Sequence, residues 1–285
     1  MELKHGYYHL IAILTVAIWG LTFISTKVLI NHGLTPQEIF LYLGIWVISP
    51  KRLFTNNWQD ELWLVAGGIF GGSLYFFTEN TALGITQASN VSFIICTAPL
   101  LTTILSLLFY KSEKASKGLI YGSLLALMGV GLIVFNGSFV LKISPIGDLL
   151  TLLAALSWAF YSLIIKKMAR RYPTVFITRK IFFYGVLTIL PAFLLHPLQP
   201  DTAVLLQPAV LFNLLFLAVL ASLICYVLWN VVLKQLGTVR ASNYIYLNPL
   251  VTMIASFLIL DEKITLVALG GAACIVCGVY WAEKK

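Results

Sequence analysis

The sequence predicts an all-α integral membrane protein of ten transmembrane helices, arranged as two inverted five-helix repeats in which the second helix is shortened. Three observations predict it. The 285 residues are 60% hydrophobic and only 11% charged, where soluble domains average about 25% charged residues. An apolar passage is written twice: Pro99-Leu100-Leu101-Thr102-Thr103-Ile104-Leu105-Ser106 returns as Pro249-Leu250-Val251-Thr252-Met253-Ile254-Ala255-Ser256, and Leu83-Gly84 with Ala88-Ser89-Asn90 returns as Leu236-Gly237 with Ala241-Ser242-Asn243. The basic residues, finally, collect on alternate loops.

A chain this apolar cannot cover itself with polar groups in water, so lipid is its solvent. In lipid every backbone N–H and C=O must be paired internally, which leaves helices or a closed barrel. Barrel strands alternate apolar and polar residues; here the apolar runs are continuous, as at 10–19 and 211–224, and helices follow.

A spanning helix needs roughly 20 apolar residues. In chain order the spans are expected at 7–30, 36–49, 62–85, 88–110, 117–137, 147–168, 174–195, 208–235, 238–260 and 264–282. The first follows a single lysine, is too long for a signal-peptide core and precedes no small-residue cleavage site, so it is read as uncleaved. The second, 36–49, is fourteen residues, about 21 Å of helix at 1.5 Å per residue, against a hydrocarbon core of about 30 Å. The repeat offset tells the same story: it is 139 residues from Trp19 to Trp158 but 153 from Asn90 to Asn243, so the first half is shorter between those points.

Ten spans put sixteen basic residues on the side of the termini, among them Lys51, Arg52, Lys111, Lys166, Lys167, Arg170, Arg171 and Lys180, and three on the other, Lys27, Lys142 and Lys263. That is the positive-inside pattern, with both termini cytoplasmic. It also accounts for the net charge of +8 without nucleic acid. Five spans per half is an odd number, so the second half re-enters the membrane in the opposite sense and the repeats, 1–143 and 144–285, are inverted. Sites in such proteins lie near the midplane between the halves. Gly67, Gly68, Gly71 and Gly72 in the third span, Gly118 and Gly122 in the fifth, and the pair Gly122 and Gly129 echoed by Gly271 and Gly278 in the tenth, let helix backbones approach closely.

The chain resembles the drug/metabolite transporter superfamily, of the EamA-like type. The residues that carry the likeness are Ala17-Ile18-Trp19-Gly20, Asn80-Thr81-Ala82-Leu83 running into Ala88-Ser89-Asn90, Pro99-Leu100 with Glu113, Ser157-Trp158-Ala159, and Pro249-Leu250 with Glu262. The resemblance implies two inverted EamA-like halves in a bacterial inner membrane. It also implies export of small organic metabolites such as amino acids, by alternating access between the halves. The chain departs from the family at the second span, where Tyr42 stands in place of the arginine that Arg179 supplies in the second half.

Polar groups inside a membrane are costly and default to function. Glu79 is the carboxylate well inside a predicted span, with Tyr75 one turn before it and Lys27 at a similar depth on the first span. It reads as a substrate or proton-coupling group, as a structural Lys27–Glu79 ion pair, or as a carboxylate in an aqueous vestibule beside a lysine that snorkels to the interface. Asn90 and Asn243 are repeat-related; Asn230 and Asn248 lie one turn after Tyr226 and Tyr244. These amides serve either a substrate or helix-to-helix hydrogen bonds. Trp19 and Trp158, also repeat-related, with Tyr161, Tyr226, Trp229, Tyr244 and Tyr246, are expected to line an apolar cavity. Thr22 and Thr26 share the Trp19 face. Pro99 and Pro249 fall within spans and each frees a carbonyl one turn earlier, marking helix irregularities.

Catalytic, metal and cofactor sites are not expected. The four cysteines, Cys96, Cys225, Cys274 and Cys277, lie in apolar segments, and Cys274-x-x-Cys277 has no further ligand nearby. His5, His9, His32 and His196 form no ligand spacing. No P-loop, H-E-x-x-H or intramembrane Asp pair suggests an enzyme. The expected partners are a small-molecule substrate and the lipid bilayer; the sequence leaves the oligomeric state open. The alternative, a non-transporting membrane receptor or assembly protein, would call for a partner-binding domain or long loop.

Overall fold

The computed structural model describes residues 2–44, 55, 57–86, 88–110, 116–135, 144–194, 202–260 and 265–283. Among them every regular element is helical. Helix α1 (Glu2–Asn31) is followed by the short α2 (Pro36–Gly44), whose first turn is fixed by Glu38 accepting from the Thr35 N–H and hydroxyl. Helices α3 (Trp58–Gly68) and α4 (Leu74–Ile85) form one run joined by a π-helical segment, Ile69–Ser73. Helices α5 (Ala88–Ile95) and α6 (Ala98–Phe109) are separated by a turn at Cys96-Thr97, and α7 (Lys117–Phe135) closes the first half.

The second half repeats these features. Helix α8 (Pro145–Met168) is continuous, and α9 (Thr174–Ile189) ends in a 3-10 turn, Leu190–Leu194. After the short α10 (Thr202–Leu205), helices α11 (Pro208–Leu215) and α12 (Cys225–Leu236) flank a second π segment, Phe216–Ile224. Helix α13 (Thr238–Asn243) and α14 (Asn248–Leu260) are separated by a 3-10 turn, Tyr244–Leu247, before α15 (Leu266–Glu283). The interruptions therefore come in pairs: a π segment in the third and eighth expected spans, and a break before Pro99 and before Pro249 in the fourth and ninth. Both prolines occupy the first turn of the helix that resumes, where a missing N–H costs nothing.

Among the described residues, six helical runs are long and apolar enough to cross a membrane: Gly6–Asn31, Asn90–Phe109, Lys117–Val134, Pro145–Met168, Thr174–Leu194 and Pro208–Leu236. The remainder of the second expected span after Gly44 lies outside the described residues, as do Glu113 and Glu262.

Glycines set the closest packing, as expected for helices that gain nothing hydrophobic by leaving lipid. A Cβ on Gly129 would stand 2.5 Å from the Gly271 carbonyl oxygen, and one on Gly278 2.5 Å from that of Gly122, so α7 and α15 run antiparallel with backbones in contact. A Cβ on Gly68 would stand 2.9 Å from the Gly185 nitrogen, and one on Gly71 2.1 Å from the Tyr161 ring. These contacts bring α3 and its π segment against α9 and α8 across the two halves.

Contacts also fix the ends of the bundle. Arg171 and Lys180, near the start of α9, meet Asp60 and Glu61 at the start of α3, and Lys167 at the end of α8 lies 3.7 Å from the Trp63 ring centroid. Lys27, near the end of α1, reaches Leu83 at the end of α4. One end of the bundle is thus rich in cations, and Lys27 marks the opposite end.

Candidate functional site

A small, partly polar cavity opens between the halves. Helix α1 supplies Trp19, Thr22 and Thr26, α4 supplies Tyr75, Glu79 and Asn80, and α8 supplies Trp158. The second π run and α12 add Ala221, Ser222 and Tyr226, and Asn248 comes from the start of α14. Ile39 of α2 also lines it, so the short second helix takes part. The cavity holds about 60 Å³, well below the roughly 300–1,000 Å³ of sites for drug-sized ligands. Its occupant is therefore small, or the halves part to admit it. From Trp19 it extends toward the end marked by Lys27.

The π segments build its walls. A π turn displaces carbonyls from the i→i−4 ladder, and those carbonyls must find other donors. Trp19 Nε1 donates to the Ala221 carbonyl at 2.9 Å, inside the second π segment. Ser157 Oγ donates to Phe70 at 2.8 Å and the Tyr226 hydroxyl to Gly71 at 3.0 Å, both inside the first. Each half thus ties its side chains to the irregular backbone of the other.

The aromatic rings form one cluster. Trp19 lies edge-on to Trp158 with centroids 5.3 Å apart, and 5.1 Å from Trp229; Trp158 lies 5.1 Å from both Tyr75 and Tyr161. The repeat-related tryptophans are nonetheless unequal. Trp19 spends its N–H on Ala221, whereas Trp158 Nε1, in a side chain 5% exposed, has no partner among the described residues. Asn248 Oδ1, equally buried, is likewise unmatched. Among the described residues Glu79 accepts one hydrogen bond, from the Tyr75 hydroxyl at 2.7 Å. Glu79, Trp158 and Asn248 therefore line one small space, and the indole N–H of Trp158 and the amide oxygen of Asn248 are buried at its wall without a partner among the described residues. Buried polar atoms are ordinarily paired, and each exception calls for an explanation.

The expected Lys27–Glu79 ion pair does not form: Lys27 Nζ instead donates to the Leu83 carbonyl at 2.5 Å. The reason is local. Leu83 lies in the last turn of α4, whose final carbonyls have no intrahelical donor and carry the negative end of the helix dipole. Lys27 caps that helix and leaves Glu79 to Tyr75.

Seven expected residues lie off the cavity. Tyr161 sits beneath Trp158 and donates to Asn230 Oδ1 at 2.8 Å, and Asn230 Nδ2 donates to Thr178 Oγ1 at 2.8 Å. Trp229 is fully buried behind Trp19. Tyr244 pairs with His9, Asn243 accepts from Ser123 at 3.3 Å, and Asn90 and Tyr246 are buried away from the cavity. Conversely, Phe23, Phe76 and Ser222 line it without a sequence signal that set them apart, and Asn80, noted only as part of a family motif, lines it too.

Below the Tyr161–Asn230–Thr178 chain, toward the cationic end, lie two ionic contacts between the halves. Lys180, 0% exposed, pairs with Glu61, which also accepts from Tyr184 and from the Thr55 N–H and hydroxyl at 2.9 and 2.6 Å. Arg171 Nη1 donates to Asp60 Oδ1 at 2.6 Å, and the Tyr172 hydroxyl to Asp60 Oδ2 at 2.9 Å. Tyr172, in the turn after α8, is held above its ordinary pKa by desolvation and by that carboxylate.

Comparison with known proteins agrees with this architecture. The EamA-like transporter family model matches twice, over residues 6–135 and 145–282. An "Uncharacterized transporter" of Archaeoglobus fulgidus is 29% identical over 97% of this chain and 97% of its own. A "Probable amino-acid metabolite efflux pump" of Salmonella typhimurium is 27% identical, covering 98% of this chain and 95% of its own, and one of the same name from Escherichia coli is 25% identical with the same coverage. A solved crystal structure superposes with a TM-score of 0.72 over 97% of this chain and 95% of its own at 18% identity, which attests the fold. With both halves matched by the family model, the chain belongs to the EamA-like transporter family.

Proposed function

We propose that this protein is a secondary transporter that exports amino acids or related zwitterionic metabolites across a bacterial inner membrane. The observation that carries the reading is the cavity's donor and acceptor set. A zwitterion presents an ammonium and a carboxylate a few bonds apart. Glu79 suits the ammonium, the unmatched Trp158 N–H suits the carboxylate, and Asn248 Oδ1 suits a further hydrogen bond donated by the ammonium. A site whose buried polar groups are left unpaired by the wrong ligand discriminates strongly against it. The relatives named as amino-acid metabolite efflux pumps point to the same substrate class.

The mechanism is alternating access between two inverted five-span repeats, 1–143 and 144–285, with both termini cytoplasmic. The paired interruptions support the repeat, and the collection of cations at one end supports the orientation. In that orientation the cavity leans toward the outside. The Tyr161–Asn230 layer and the Glu61–Lys180 and Asp60–Arg171 contacts stand between it and the cytoplasm. Inward opening parts these contacts as α3 moves against α9. Glu79 either binds the substrate ammonium or carries the coupling proton.

Reconstitution into proteoliposomes with a panel of labelled amino acids tests the function. The expected result is flux of at least one amino acid that saturates and is lost in empty vesicles. Intact, correctly folded protein that moves none of the panel would refute it.

A further inference from the structure

A second concavity lies on the bilayer-facing side of α3, α6 and α8, apart from the central cavity. It is about 550 Å³, within the range of sites that hold organic ligands. Its floor is apolar: Phe70 and Phe160 stack at 5.2 Å and close its deep end. Its rim is cationic: Lys167, Arg170 and Arg171 stand together at the end of α8 and the turn beyond.

We propose that this trough binds one anionic phospholipid of the cytoplasmic leaflet, with an acyl chain along Phe70 and Phe160 and the phosphate on Lys167 and Arg170. Four observations converge on that occupant. The charge is complementary: among the described residues neither Lys167 nor Arg170 pairs with a carboxylate. Lys167 is held in place, its ammonium 3.7 Å from the Trp63 ring centroid, so little freedom is lost when a phosphate arrives. Arg171 is 56% exposed although bound to Asp60, and adds positive field at the rim. The dimensions match as well. From Lys167 to Phe160 is seven residues of α8, about 10 Å at 1.5 Å per residue, or two-thirds of one leaflet of a hydrocarbon core about 30 Å thick. Basic pockets between membrane helices on the cytoplasmic side suit anionic headgroups. The choice of leaflet rests on the orientation proposed above; the binding itself does not.

The test is native mass spectrometry of the full chain in detergent with phosphatidylglycerol or phosphatidylcholine of identical chains. Phosphatidylglycerol is expected to be retained as a single equivalent at least tenfold over phosphatidylcholine. The double variant Lys167→Gln/Arg170→Gln is expected to lose that preference, since each cation near an anionic lipid surface strengthens binding roughly fivefold. Lys167→Arg/Arg170→Lys is expected to keep it, as is Lys234→Gln/Arg240→Gln, which removes two cations elsewhere. Equal retention of both lipids would overturn the proposal, as would equal loss of preference in both Gln double variants. Soluble glycerol phosphate that competes the lipid off at equal concentration would overturn the lipid assignment. Detergent removes any dependence on sidedness, so failure here is distinct from failure of the proposed orientation, which cysteine labelling reads separately.

Discussion

The Glu61–Lys180 contact predicts an asymmetry between its two partners. Lys180 is fully enclosed, and Glu61 is 7% exposed. Removing the charge of Glu61 (Glu61→Gln) leaves a buried ammonium without the carboxylate that neutralises it, a change that typically costs about 3–5 kcal/mol. Removing Lys180 (Lys180→Met) is milder. Glu61 keeps the Thr55 N–H, the Thr55 hydroxyl and the Tyr184 hydroxyl, and methionine fills the lysine's hydrocarbon volume. Its expected cost is about 1–3 kcal/mol, the desolvation of a group still largely hydrogen-bonded. The double variant removes both charges and should fall no lower than Lys180→Met, because replacing a buried pair by neutral groups is often neutral or stabilising. At about 2–4 °C per kcal/mol, Glu61→Gln should lower the thermal midpoint in detergent by about 6–20 °C, with the double variant recovering most of that loss. Equal small shifts in both single variants, or additive losses in the double, would refute the reasoning.

Other outcomes follow from the same geometry. Trp158→Phe removes an N–H with no intramolecular partner among the described residues, so it should raise the KM for amino-acid flux about two- to tenfold with no internal hydrogen bond lost; an unchanged KM would remove Trp158 from the site. Gly129→Ala places a methyl group 2.5 Å from the Gly271 carbonyl and should destabilise the α7–α15 contact by about 1–3 kcal/mol, whereas Gly270→Ala, with open space around it, should be silent. Cysteines at His32 and Gln59 should label from opposite sides of the membrane in intact cells; labelling of both from one side would break the proposed ten-span topology.

Much of the architecture was readable because lipid makes a simple demand: apolar length for each span and cations on one side. The helical class follows from it, and so does the use of glycines where helix backbones meet, although which helices they would join did not. Helix rotation was harder. Tyr161, Trp229 and Asn230 sit one turn from cavity residues but face the packed core, because in an apolar helix no polar stripe shows which side faces a neighbour. The π segments are equally silent, since Ile69–Ser73 and Phe216–Ile224 also suit an α-helix. What holds them is tertiary, the donors Ser157, Tyr226 and Trp19 that take up their displaced carbonyls. The ionic layer escaped for another reason. Arg171 and Lys180 counted as topology markers, and only the approach of α3 to α9 turns Asp60-Glu61 into their partners.

The account turns on Glu79, the carboxylate that faces the cavity with acceptor capacity beyond its bond to Tyr75. Flux of a transported amino acid should therefore be compared in proteoliposomes carrying equal amounts of folded wild-type protein and Glu79→Gln, across a range of pH. The account predicts that Glu79→Gln loses most of the flux, or keeps it with the pH dependence abolished. Wild-type flux with unaltered pH dependence in that variant would contradict it.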